Sequence, residues 1–100
     1  MSVKNLLQQL DKAFENKIRL GAMSVLRVNS EASFNDLKEL LEVTDGNLAS
    51  HLKHLEKEGY ISVKKSFINR KPNTVYTITE TGKTAFEKHL ETLEEILKQR

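Results

Sequence analysis

Residues 33–79 read SFNDLKELLEVTDGNLASHLKHLEKEGYISVKKSFINRKPNTVYTIT, and the order of segments within them decides the fold. Phe34, Leu37, Leu40 and Leu41 recur at helical spacing and form the expected buried side of a short helix. Ser33, followed three residues later by Asp36, has the pattern of a cap at its start. Thr44 can cap a second, longer helix whose positive N-terminal dipole Asp45 favours. Leu48, Leu52 and Leu55 give that helix an inward face, and Gly59 is the glycine expected past its end. Ile61, Val63 and Phe67 then alternate with polar residues, as do Tyr76 and Ile78, which predicts two strands. Between them FINRKPNT, with the only proline and two asparagines, reads as a loop.

On the N-terminal side, Val3, Leu6, Leu7, Leu10 and Phe14 form one apolar stripe, which predicts a single helix ending at Asn16. Ile18, Ala22, Val25 and Leu26, widened by Leu20 and Met23, predict the next helix. Gly21 inside it, costing about 1 kcal/mol against alanine, points to close helix packing. NSEAS reads as a loop. On the C-terminal side Thr79 or Thr81 opens a last helix striped by Ala85, Phe86, Leu90, Leu93, Ile96 and Leu97. The expected fold class is α+β and mostly helical: five helices and a two-stranded β-hairpin.

With 100 residues the chain is read as a single domain, 1–100, with one core and no room for a large internal cleft. No apolar run approaches the roughly 18 residues needed to cross a bilayer, and the N-terminus lacks the pattern of a secretory signal. The chain has no cysteine, hence no disulfide and no thiolate metal site, and a cytoplasmic location is the default expectation.

A net charge of +2 argues little, but its distribution argues more. Residues 59–79 hold Lys64, Lys65, Arg70 and Lys71 and no acid, whereas residues 31–58 hold three bases against seven acids. The positive field is concentrated in the hairpin, as contact with a polyanion backbone requires. On the helix from residue 45 to 58, with the leucines inward, Gly46, Asn47, Ser50, Lys53, His54 and Lys57 face outward and His51 lies on the flank. Asparagine pairs bidentately with adenine and serine bonds several base edges, while small residues let a helix approach the groove floor. Any polar helix face looks like this in isolation, and lysines on strand edges also serve to discourage aggregation. The ordered set of presenting helix, turn, polar helix and basic hairpin is what favours double-stranded DNA. The longer helix would enter the major groove and the hairpin of residues 64–74 would reach backbone or minor groove.

These residues carry a resemblance. KIRLGAMSVL, FNDLKELLEVTDGNLASHLKHLEKEGYI and KKSFINRKPNTVYTITETGKTAFEKHLETLEEIL resemble the small winged-helix transcriptional regulators related to the MarR and ArsR groups, over residues 17–97. The resemblance implies a winged helix-turn-helix fold and a cytoplasmic, dimeric, sequence-specific DNA binder. It places Asn47, Ser50, His51 and His54 in the base-reading region and Arg70 and Lys71 at the basic wing tip. Asn69 stands where many relatives carry glycine, and asparagine tolerates the left-handed conformation such a turn needs. Lys71 replaces a frequent arginine, which weakens bidentate phosphate contact.

The expected DNA-binding set is therefore Thr44, Asn47, Ser50, His51, Lys53, His54, Lys64, Lys65, Arg70 and Lys71. The first and last helices carry more apolar surface than one small core uses, and Leu6, Leu10, Phe14, Phe86, Leu90, Leu93 and Leu97 are expected to pair two copies as a homodimer. That pairing would place two recognition helices about 34 Å apart, one turn of DNA. No enzyme is expected, since Ser50 beside His51 and His54 has no strained nucleophile turn around it, and there is no glycine-rich phosphate loop. No cofactor or metal is expected: His51 and His54 are spaced as ligands can be, but only His89 remains as a further histidine. The alternative is a winged-helix protein-interaction module without DNA binding, favoured modestly by the acids of residues 31–58.

Overall fold

The computed structural model describes residues 2–99. Its elements run α1 (Val3–Gln8), a 3-10 turn (Lys12–Phe14), α2 (Lys17–Asn29), β1 (Glu31–Ser33), α3 (Phe34–Leu41), α4 (Asp45–Lys57), β2 (Ile61–Ile68), β3 (Lys71–Ile78) and α5 (Glu80–Leu97). The helix starts are written in side chains. Ser33 Oγ accepts the Asp36 N–H at 3.1 Å, Thr44 Oγ1 accepts from Asn47 at 3.3 Å and Thr79 Oγ1 accepts from Gly82 at 2.9 Å. Each satisfies an N–H that the first helical turn would leave unpaired. Gly59, at φ +79°, ends the α4 region and turns the chain into β2.

The core lies where α2, α3 and α4 meet the base of the sheet. Met23, Leu26, Leu37, Leu48, Leu52 and Leu55 are fully buried there, with Ile61 at the foot of β2. Phe14 closes the other side. Its ring stacks on Tyr60 at 5.3 Å and meets Phe86 and His89 edge-on at 5.1 and 5.3 Å. Truncating such an aromatic to alanine costs about 3–5 kcal/mol.

Several expectations change. The predicted single N-terminal helix is broken at residues 9–11. Asp11 folds back, its carboxylate accepting the Ala13 N–H at 2.9 Å and its own N–H donating to His89 Nδ1 at 3.0 Å. These bonds outweigh the continuity of the apolar stripe. Asn16 does not end a helix but begins α2, its Oδ1 accepting from Ile18 and Arg19. NSEAS is not a loop throughout, because Glu31–Ser33 pairs antiparallel with Val75–Thr77 to give a three-stranded sheet of order β1-β3-β2. Three residues cannot display an alternation, and their partner lies more than forty residues downstream. FINRKPNT is mostly strand: β2 and β3 stay in register out to Ile68↔Lys71 and leave only Asn69 and Arg70 as the turn. Pro72 is tolerated opposite Phe67 because β1 reaches only residues 75–77, so the far side of β3 is unpaired there. Leu40, expected inside, is 63% exposed, since α3 turns Leu37 rather than Leu40 into the core. Phe67 is 76% exposed because the hairpin runs out past the helices.

Leu6, Phe14 and Phe86, three of the residues expected to pair two copies, are buried within the single subunit. Folding of α1 and the 3-10 turn back onto α5 consumes them.

Candidate nucleic-acid interface

α3 and α4 are joined by Glu42–Thr44, with Glu42 in the left-handed region at φ +51°. The Lys38 ammonium, one turn before the end of α3, meets the Asp45 carboxylate at 2.7 Å and ties the two helices across the turn. Asp45 is therefore engaged with lysine, besides favouring the helix dipole. With Leu48, Leu52 and Leu55 buried, α4 leaves Gly46, Asn47, Ser50, Lys53, His54 and Lys57 exposed in one arc. A Cβ added at Gly46 would meet nothing within 4 Å, so the N-terminal end of α4 is bare. His54 Nε2 lies 3.9 Å from the Glu58 carboxylate, one turn on.

His51 differs from the rest of the arc. It is half-buried, and its Nδ1 receives the Arg19 Nη1–H at 2.9 Å. Burial first, then the positive charges of Arg19 and His54, pull its pKa below the usual 6.5. The third histidine, His89, is buried on α5 and accepts the Asp11 N–H, so it belongs to the core and not to this surface. Arg19 was missing from the expected set. Its position on α2 follows from no periodicity, and only the packing of α2 on α4 brings it to His51.

The wing tip is a two-residue turn in which Asn69 and Arg70 have φ of +52° and +66°. Positive φ at both central residues is the turn whose twist matches that of the flanking strands. Asparagine occupies such a conformation readily; arginine does so at a cost. Lys64, Lys65, Arg70 and Lys71 are all exposed, and none enters an ion pair among the described residues. Side chains alternate along a strand, so Lys65 lies on the face of Phe67 and Lys64 on that of Ile68. Phe67 and Ile68, 76% and 56% exposed, place an apolar pair beside the basic turn.

Residues 18–97 match the family of the winged helix DNA-binding domain. The chain belongs to that family. Over 79 residues it is 39% identical to an uncharacterized protein of Methanocaldococcus jannaschii, covering 79% of this chain and 86% of that one. The structure of a transcriptional regulator homologue from Pyrococcus horikoshii OT3 superposes with a TM-score of 0.84 at 30% identity, covering 95% of this chain and 92% of the other. A putative transcriptional regulator, ytfH, from Salmonella typhimurium shares the fold, with a TM-score of 0.72 at 22% identity over 86% and 76% of the two chains. The winged helix thus read is a DNA-binding regulator rather than an enzyme. Among the described residues no helix is long and apolar enough to cross a membrane.

Proposed function

We propose that this winged helix binds a roughly palindromic operator as a homodimer and regulates transcription from it. α4 lies in the major groove, where Asn47, Ser50 and His54 reach base edges. Thr44, Lys53 and His51 contact the flanks, and Lys64, Lys65, Arg70 and Lys71 hold backbone or minor groove. The observation that carries this reading is the pairing of one bare polar arc on α4 with an unpaired cationic wing tip, in a chain of a DNA-binding family. The leucines of α4 point inward, so its opposite side is free to enter a duplex.

Dimerisation draws on the apolar area that remains. Leu10, Leu90 and Leu93 are half-buried and Leu97 is 84% exposed along the α1–α5 side. Light scattering at micromolar concentration should report twice the chain mass, and a monomer there would remove the dimer.

Gel shifts on duplexes selected from a random pool test the DNA reading and yield the half-site spacing. Binding should weaken steeply with salt, because phosphate contacts release counterions. Arg70→Ala should weaken binding to every sequence and lower the salt slope by about one. Asn47→Ala should instead blur sequence preference. If both leave binding untouched, the docking mode is wrong.

A second reading, a protein-interaction module, has one observation in its favour. A shallow groove between α2, β1 and α3 carries the acids Glu31, Asp36 and Glu39 beside Val25 and Leu40. No shift on any duplex at low salt would favour it.

A further inference from the structure

Arg19 joins three parts of the fold. Its Nε–H donates to the Ala13 carbonyl at 2.6 Å and an Nη2–H to the Lys12 carbonyl at 3.4 Å, both in the 3-10 turn. Its Nη1–H reaches across to His51 Nδ1 on α4 at 2.9 Å.

The direction of that last bond is fixed by chemistry. A guanidinium has five N–H donors, no acceptor, and stays charged at any pH a folded protein meets. His51 Nδ1 must therefore offer its lone pair, and in the neutral ring the single proton then sits on Nε2. The neutral ring is the one favoured, since burial, Arg19 and His54 all pull the His51 pKa down. Near pH 7 the flank of α4 thus carries one oriented N–H donor, held by a side chain that is itself anchored on two backbone carbonyls.

We propose that Arg19 is a positioning residue that locks His51 in the Nε2–H tautomer, and that this N–H donates to a phosphate oxygen of the bound duplex. The second half rests on the placement of α4 in the major groove. Two features favour phosphate over a base edge. His51 lies beside the outward arc of Asn47, Ser50 and His54, where a groove-bound helix meets the wall rather than the floor. The adjacent Arg19 charge makes the local field positive, which suits an anionic acceptor. Backbone contacts of this kind fix a helix's depth and register and carry no sequence information. Through Arg19, that register is tied to the turn that follows α1.

The lock is read without DNA. Long-range proton–nitrogen correlation spectra of the free protein should show the His51 ring with its proton on Nε2. Arg19→Met, which keeps the stem and removes the donors, should give a mixture of the two tautomers. A wild-type ring with its proton on Nδ1, or mixed, overturns the lock. On a selected duplex, His51→Phe should weaken binding roughly ten- to a hundredfold, the scale of one hydrogen bond to a charged group, and equally for all base substitutions. Arg19→Met should lose a similar factor, and the double variant no more than either alone, because Arg19 acts through His51. Unchanged affinity in His51→Phe, or a loss confined to one base position, overturns the phosphate contact. Losses that multiply in the double variant overturn the coupling. Neither the wild-type spectrum nor His51→Phe depends on Arg19→Met folding. Failure of the wild type to bind any duplex removes the phosphate contact along with the placement of α4, while the spectrum still decides the lock.

Discussion

At the scale of the residue, two glycines in helices do different things. Gly21 faces α3, where an added Cβ would stand 2.7 Å from Leu41 Cδ2, the far end of a side chain that can turn aside. Alanine there also recovers about 1 kcal/mol of helix propensity. Gly21→Ala should therefore stay within about 1 kcal/mol of wild-type stability. Gly82 opens α5 against the backbone of Tyr60, and an added Cβ would overlap the Tyr60 carbonyl oxygen and lie 2.9 Å from its Cα. Backbone cannot turn aside, so the start of α5 would have to move away from the turn that leads into β2. Gly82→Ala should cost on the order of 3 kcal/mol. Urea denaturation of the two variants side by side measures the contrast, and equal costs would show that the Tyr60 contact is not rigid. The spacing of glycines in the sequence does not distinguish them, because the deciding neighbours lie about twenty residues away along the chain.

At the scale of the element, the wing sets stability against recognition. The two-residue turn demands positive φ twice, and Arg70 meets the demand at +66° without being glycine. A left-handed non-glycine residue costs about 1–2 kcal/mol, a strain more often kept where function uses the side chain. Arg70→Gly should raise stability by about 0.5–1 kcal/mol, since relief of strain is partly offset by the entropy of glycine. It should also weaken DNA binding. Arg70→Ala should lose the same affinity without the gain, because alanine keeps the strained Cβ. Thermal melts and gel shifts on the pair separate the two effects. If Arg70→Gly is no more stable than Arg70→Ala, the turn is not strained. The alternation of Ile61, Val63 and Phe67 made β2 legible, but not how far it runs, because strand pairing carries it past the last residue that packs on the body.

At the scale of the whole molecule, the buried groups linking the N-terminal segment to the rest set the pH range of stability. Asp11 accepts a hydrogen bond from the Tyr60 hydroxyl and donates its own N–H to His89, joining the turn after α1 to the turn that leads into β2 and to α5. Burial pulls the His89 pKa below 6.5, only partly opposed by Asp11 and Glu15, and His51 is shifted the same way. Both histidines stay neutral in the folded protein at pH values where the unfolded chain takes up protons. The unfolded state then binds more protons below about pH 6.5, so stability falls as pH decreases through that point. Burial and the bond to Asp11 push Tyr60 up to about 12, so on the alkaline side stability falls once pH rises above the ordinary tyrosine value of 10. Melting temperatures between pH 7.5 and 5 should decline, and His89→Gln should flatten the decline while lowering the starting value. An acid slope unchanged in that variant would remove His89 as its cause.

The sequence by itself determined the order of helices, the caps at Ser33 and Thr44, the inward leucines of α4 and the basic wing, because each is a local pattern of periodicity or turn chemistry; between Thr79 and Thr81 it left the start of α5 open, and the structure puts the cap at Thr79. It also carried the family, through runs of residues long enough to be specific. Only the tertiary structure decided that the N-terminal helix breaks at Asp11, that Glu31–Ser33 becomes a strand, that Leu6, Phe14 and Phe86 belong to the subunit's own core, and that Arg19 holds His51. Those outcomes depend on partners from about thirty to nearly eighty residues away, such as Asp11 with His89 or Arg19 with His51. A burial pattern records that a side chain is hidden, not what hides it, so contacts at such separations leave no period in the chain.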